Sequence, residues 1–436
     1  MKTFASPSLL RPLAVFTAAL LFLAGIYIWM MLQGTLPAPA EEASPTFDSP
    51  SLESEIERLQ SRLQQFPEDA ETYAFLGLAW LQQVRETGDA AGYMLAEEAL
   101  NEALRLDPQQ VDGLIGQGLL ALARHDFRAA LAWGEQASAL NPYRAQALGI
   151  QVDAYIELGE YEKAAEVLQK MVDLRPDLAS FSRISYLREL HGDVSGAIEA
   201  MERAVKTGTP GHENTLWAQV QLGHLHFNRG DWEMAEAAYR AALVFRADYP
   251  PALAGVARVW AAEGNLAGAI SLLEPVVERF PQAEYVILLG ELYTAAGQGE
   301  LAEQQFALVQ VIQDLNASAG MDVDLEMALF NADYGHAPAA TVLAAQAAYQ
   351  RRPSVHAADV LAWALYRNGQ FAEAWEFSQE ALRLGTQDAL MHFHAGMIAH
   401  ALGETDTARE YLTRALELNP GFSLRFASEA QALLDQ

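Results

Sequence analysis

The sequence predicts an all-α protein: one apolar N-terminal helix followed by a solenoid of about ten helix pairs. Three observations carry that expectation. Alanine recurs every 34 residues or so from Ala96 to Ala408, a glycine stands five residues before most of these alanines, and the chain carries no charge from Leu13 to Leu32. A unit of that length is one supersecondary element, which buries its apolar face only by stacking on its neighbours.

The elements follow in chain order. Residues 1–12 form a short cytoplasmic N-terminus carrying Lys2 and Arg11. Residues 13–33 are a transmembrane anchor, since "LAVFTAALLFLAGIYIWMML" has the length that crosses a ~30 Å hydrocarbon core as a helix. Tyr27 and Trp29 near its far end suit the membrane interface, and Lys2 and Arg11 before it keep the N-terminus inside and send the rest of the chain across. Ala38 and Ala40 offer an A-x-A-like cut, so a cleaved signal peptide is the alternative, but the apolar run exceeds the ~7–15 residues of such a segment. Residues 34–50 are rich in Pro, Ala and Ser and read as a tether. Residues 51–67 form a capping helix with Leu52, Ile56, Leu59, Leu63 and Phe66 on one face, started by Ser49 as N-cap and Pro50 in the first turn. Residues 68–422 are the repeats, and 423–436 supply a last helix to cover the final apolar face.

The repeats can be measured against Ala96, Ala130, Ala164, Ala197, Ala235, Ala269, Ala302, Ala340, Ala374 and Ala408, at intervals of 34, 34, 33, 38, 34, 33, 38, 34 and 34. Seven residues beyond these stand Ala103, Ala137, Met171, Ala204, Ala242, Val276, Val309, Ala347, Ala381 and Ala415. Small residues let the two helices of a pair approach closely, and glycines such as Gly159, Gly192, Gly369 and Gly403 permit the positive φ that closes a first helix. Extra residues fall around "VRETGDAAGY", and in "KTGTPGHENT" and near "NASAGMDVD". The latter two read as loops that divide the array into blocks of four, three and three units.

Several units carry one pattern: Tyr73, Leu76, Gly77 and Trp80 then Ala96, Leu100, Ala103 and Pro108; Leu222, Gly223, Ala235 and Tyr239; Leu289, Gly290, Tyr293, Ala302 and Phe306; Gly396, Ala408, Leu412 and Pro420. Val152 and Ser185 depart from it, where a small Gly or Ala is usual. This pattern resembles the tetratricopeptide repeat (TPR) family, in its bacterial membrane-anchored type, over about residues 68–422. The resemblance implies a right-handed superhelical solenoid whose first helices line a concave groove.

Composition narrows the function. A formal charge of −29 opposes binding of nucleic acid or anionic lipid surfaces, both of which need a basic footprint. With no cysteine there are no disulfides, thiolate metal sites or cysteine nucleophiles. Gly113, Gly116, Gly118 and Ala121 spell G-x-G-x-x-A, but the repeat register puts them inside a helix, where no dinucleotide site forms. His392, His394 and His400 crowd one helix without the i, i+4 spacing that lets two ligands share a metal, so they read as groove or surface residues.

No catalytic residue, metal or cofactor is expected. By the resemblance, positions 2, 5, 9, 12 and 13 of each first helix face the groove, which gives His356, Asp359, Trp363, Tyr366, Arg367, Phe393, Met397 and His400 in the last two units. His224, Phe227, Arg258, Glu291 and Asp333 follow nearer the middle, and Asp153, Tyr186 and Glu189 earlier. Trp, Tyr and Arg are the residue types that dominate interface energetics, and Met adds adaptability. The expected function is a scaffold or assembly factor at the inner membrane, single-pass, which docks a protein or peptide partner outside the cytoplasm. Presentation of apocytochrome c is an alternative. An alternative of another class is a metal-dependent sensor or enzyme, which needs His356, Asp359 and His400 to converge.

Overall fold

The computed structural model describes residues 51–436. The expected transmembrane helix, the tether and the Ser49–Pro50 helix start lie outside them. Among the described residues there are 22 helices and no strand, and no helix is long and apolar enough to cross a membrane.

Helix α1 (Leu52–Gln65) precedes ten helix pairs. Units 1 to 5 are α2 (Ala70–Thr87) with α3 (Gly92–Leu106), α4 (Val111–Ala123) with α5 (Phe127–Leu140), α6 (Ala145–Glu157) with α7 (Tyr161–Leu174), α8 (Leu178–Leu190) with α9 (Val194–Thr207), and α10 (Glu213–Asn228) with α11 (Trp232–Phe245). Units 6 to 10 are α12 (Pro250–Ala262) with α13 (Leu266–Arg279), α14 (Ala283–Ala295) with α15 (Gly299–Ser318), α16 (Asp324–Tyr334) with α17 (Pro338–Arg351), α18 (Val355–Arg367) with α19 (Phe371–Ala381), and α20 (Ala389–Ala401) with α21 (Thr405–Leu418). Helix α22 (Ala427–Leu434) ends the array.

The recurring small residues are where pairs close. Ala96, Ala130, Ala164, Ala197, Ala235 and Ala269 are fully buried, as are Ala103, Ala137, Ala204 and Ala242 seven residues on. Unit 8 breaks the expected register. Ala340 is exposed, and the buried positions are Thr341 and Ala348. The cause is Ala337, which takes a left-handed conformation (φ 40°) before Pro338 and adds one residue to the turn. Second helices start on side-chain caps: Asp126, Asp193 and Asn265 accept from the amides of Ala129, Gly196 and Gly268.

Three local expectations are corrected. Phe66 lies beyond the end of α1 and is 58% exposed instead of sharing its buried face. Around "NASAGMDVD" the extra residues lengthen α15 to 20 residues, and the loop begins only after Ser318. The array is not three blocks, since Leu52–Gln436 forms one compact unit.

That unity comes from the winding. The first-helix turns of units 1 to 5 hold Gly88, His125, Gly159, Gly192 and Gly230, all at positive φ. All five turns meet loops five units further along, Gly88 through the side chain of Gln282. His125 Nδ1 donates to the carbonyl of Asp322 (2.8 Å), whose amide donates to the carbonyl of Arg124 (3.0 Å). Tyr161 Oη accepts from the amide of Val355 (2.8 Å). A Cβ at Gly159 or Gly192 would overlap the carbonyl oxygen of Pro353 or Gly385. Asn419 Nδ2 donates to the carbonyl of Phe227 (2.8 Å), and its Oδ1 accepts from Trp232 Nε1 (3.1 Å). These bonded partners are 197, 194, 192 and 187 residues apart, so the second five units seat on the first five along a continuous seam.

Candidate functional site

First helices of successive units touch one another, while second helices of neighbouring units make at most marginal contact. Crowding on one side makes the first helices the inner wall of the curve.

Over units 3 to 7 that wall is open and charged. Asp153 and Glu157 of α6, Arg183, Tyr186 and Glu189 of α8, His224 of α10, Arg258 of α12 and Glu291 of α14 are half-buried. Arg183 binds both oxygens of Asp153 (2.8 and 2.6 Å), which ties unit 4 to unit 3. Burial pushes the carboxyls of Glu157, Glu189 and Glu284 above the usual range. Burial together with the charge of Asp333 carries Glu291 to about 7, although it accepts from Tyr334 Oη at 3.2 Å.

A pocket of about 230 Å³ opens in this stretch. Pro251, Ala254 and Arg258 of α12 face Glu284, Ile287, Leu288 and Glu291 of α14, with His224 at one end. These spacings of three, four and seven put each set on one helix face. The Arg258 guanidinium lies 4.8 Å over the Phe227 ring, and among the described residues no carboxylate comes within ion-pair distance of it. His224 Nδ1 is 2.8 Å from Tyr239 Oη. Tyr239 is fully buried with this as its hydroxyl's partner, so the hydroxyl donates and His224 Nε2 carries the ring proton. Burial and Arg258 bring His224 down to about 3, which leaves the imidazole neutral at physiological pH.

Units 8 to 10 differ. Trp363, Phe393, Met397 and Asp359, expected to face a partner, are at most 6% exposed. Trp363 Nε1 donates to Asp333 (2.8 Å), and its ring stacks between Tyr366 (4.8 Å) and His394 (4.2 Å). His394, expected in the groove or at the surface, is fully buried, with Nδ1 at 3.0 and 3.1 Å from the two oxygens of Asp359. Burial opposes its protonated form, but the Asp359 charge and hydrogen bond outweigh that and raise its pKa. Phe227 is likewise buried, beneath Arg258.

The remaining expected residues scatter. His356 is half-buried on the seam, with its ring stacked on Tyr186 of unit 4 at 6.4 Å. Arg367 sits 5.8 Å over the Trp363 ring, Tyr366 is half-buried, and His400 is exposed. His356, Asp359 and His400 are therefore not brought together, because Asp359 is taken up by His394. The sequence reading missed Glu284, Tyr239 and the segment around Phe426. Glu284 stands seven residues before Glu291 and was legible as the same helix face; Tyr239 acts through His224 across the helix pair of unit 5, and the segment around Phe426 through contacts with other units.

Comparison with known proteins fits this geometry. A sequence profile of the tetratricopeptide repeat matches residues 115–179, 150–213, 220–284 and 360–421, together a little over half of the chain. The chain belongs to the tetratricopeptide repeat family. Among curated proteins, the TPR array is similar to the CTR9 homolog of Arabidopsis thaliana, 24% identical over 250 residues, which covers 56% of this chain and 20% of that protein. The chain thus spans about a fifth of that relative's length. Similar solved structures include PilW, described as a widely conserved type IV pilus biogenesis factor (20% identity, 46% of this chain and 92% of that one, TM-score 0.38). Another is a tetratricopeptide repeat protein of Parabacteroides merdae (18% identity, 61% and 98%, TM-score 0.39). A third is YrrB, described as a TPR protein with an unusual peptide-binding site (19% identity, 45% and 97%, TM-score 0.28).

Proposed function

We propose that this TPR protein docks an extended segment of a protein partner on the open inner wall of units 3 to 7, with residues 13–33 holding it in a bacterial inner membrane and the repeats on the periplasmic side. A repeat array of this family is a protein-interaction scaffold. The observation that carries docking on this wall is the pocket between α12 and α14. It combines an arginine that faces Glu284 and Glu291 without a carboxylate at ion-pair distance among the described residues, an imidazole with an available N–H, and the apolar faces of Ile287 and Leu288. A few placed polar groups in an apolar recess are what fixes the register of a bound chain. Anchoring rests on the apolar length of residues 13–33 and on the positive residues before it.

The test is crosslinked capture from solubilised membranes with a C-terminal tag, comparing the native chain with Arg258→Ala/Glu291→Gln. A partner held by the native chain and lost from a variant that is still folded at the temperature of capture supports docking in the pocket. An unchanged partner set removes the pocket from the binding surface. A C-terminal reporter that is active in the cytoplasm overturns the topology.

A further inference from the structure

The inner wall of units 8 to 10 is closed because the chain covers it. Between α21 and α22, residues 419–426, "NPGFSLRF", place side chains against the first helices of units 8 to 10. Phe426 stacks on Phe393 (5.0 Å) and meets Trp363 edge-on (5.7 Å), while Phe422 reaches Phe393 at 5.7 Å. Leu424 packs against the core cluster of units 6 to 8, far from its own unit in sequence. The Arg425 guanidinium lies 5.0 Å over the Tyr334 ring and within electrostatic reach of Glu291 and Asp333.

The hydrogen bonds of this segment are local or at its root. Ser423 Oγ accepts from the amides of Arg425 and Phe426, and Asn419 Oδ1 from that of Gly421. Only Asn419 bonds to the seam. Among the described residues, no hydrogen bond joins residues 422–426 to units 6 to 9. Side chains alone hold the segment on the wall: two rings, one aliphatic group and one cation. A bound peptide is gripped by anchor side chains in the same way.

We infer that residues 422–426 are an internal occupant of the concave face, and that this stretch of wall takes a partner segment with two aromatic residues four apart, an aliphatic residue between them and an adjacent arginine. The chain's own copy must leave before such a segment enters. The inference rests on the reading that partners dock on the inner wall, and it adds both the class of segment and the contact that regulates access. The tethered copy lowers apparent affinity by the fraction of time the wall is free.

The probe is a labelled peptide of residues 419–427, "NPGFSLRFA", titrated into the full chain. Arg425 is exposed, so Arg425→Glu leaves the core untouched and sets a carboxylate beside Glu291 and Asp333. Phe422→Ser/Phe426→Ser is the second variant. Hydrogen exchange across residues 420–430 reports release of the segment in each. The expected result is faster exchange and at least ~10-fold tighter uptake of the peptide than by the native chain. That uptake is lost when both phenylalanines of the peptide are replaced by serine. A variant whose segment is released yet takes up no peptide overturns the inference, and so does a segment that neither substitution releases. If partner capture still depends on Arg258 in that event, docking over units 3 to 7 stands and only the internal occupant falls.

Discussion

Gly159 and Gly369 occupy the same place in their repeats, five residues before a buried alanine, and each closes a first helix at positive φ (72° and 79°). Their surroundings are opposite. A side chain at Gly159 would strike the carbonyl of Pro353, whereas Gly369 has nothing within 4 Å of an added Cβ. The same holds along both edges: the turns of units 1 to 5 carry the second half of the array, while Gly264, Gly297 and Gly403 of the later units face open space. One local motif thus meets two demands, a backbone angle everywhere and, in the first half, a close approach to the second half of the array.

The largest effect that can break this comparison is Gly159→Ala against Gly369→Ala. Both lose ~1–2 kcal/mol to the left-handed conformation. Gly159→Ala must also part the seam, so its expected total is ~3 kcal/mol or more in chemical denaturation. Equal losses at the two sites would show that the seam contributes nothing to stability.

A smaller effect comes two residues on, where Tyr161 matches Phe371 of unit 9. Tyr161→Phe makes the lower edge resemble the upper one and leaves the buried Val355 amide without its acceptor. The expected loss is ~1–3 kcal/mol. The same measurement on Phe371→Tyr is expected to change stability by less than ~0.5 kcal/mol, as for a substitution away from buried contacts.

The smallest effect concerns the inner wall. Glu291 faces Asp333 and Tyr334 of α16, Arg258 of α12 and Arg425, and its carboxyl is raised from the ordinary 4.5 to about 7. The folded chain therefore holds a proton that the unfolded chain has released between these values, so stability falls as pH rises from 4.5 towards 7 and is level above it. Glu291→Gln is expected to remove ~1–2 kcal/mol of that fall, after discounting for its partial exposure. Melting curves of both chains at pH 5 and pH 7.5 test it, and parallel pH profiles would remove Glu291 as the source.

Much of the fold was legible because repeat geometry is local. Spacing of alanines fixed helix pairs, and glycines marked turns, since both are dictated by contacts within one unit. Unit 8 was misplaced by one residue because Ala337 adopts a conformation that an alanine seldom takes, and no residue type announces it. Groove residues were placed by position number, which is sound for direction and silent on what lies opposite. Trp363 and Phe393 do point inward, but Phe426 arrives from another part of the chain and covers them. The burial of His394 depends in the same way on Asp359, 35 residues earlier. The seam was least legible of all. It arises from small rotations accumulated over five units, and its partners share no pattern beyond their distance in sequence.

That seam changes how the array can come apart. A repeat protein joined only to its neighbours melts and refolds piecemeal, with fraying ends and no fixed starting point. Here Phe227 is bonded to Asn419 and Tyr161 to Val355, across 192 and 194 residues. Unit 3 therefore gains its last contacts only when unit 9 exists, and the loops that close between them carry an entropy cost nearest-neighbour stacking avoids. Such long-range contacts slow folding and bind distant units into one cooperative transition. A coil spring whose adjacent turns are welded no longer stretches link by link; it holds, and then opens along the weld.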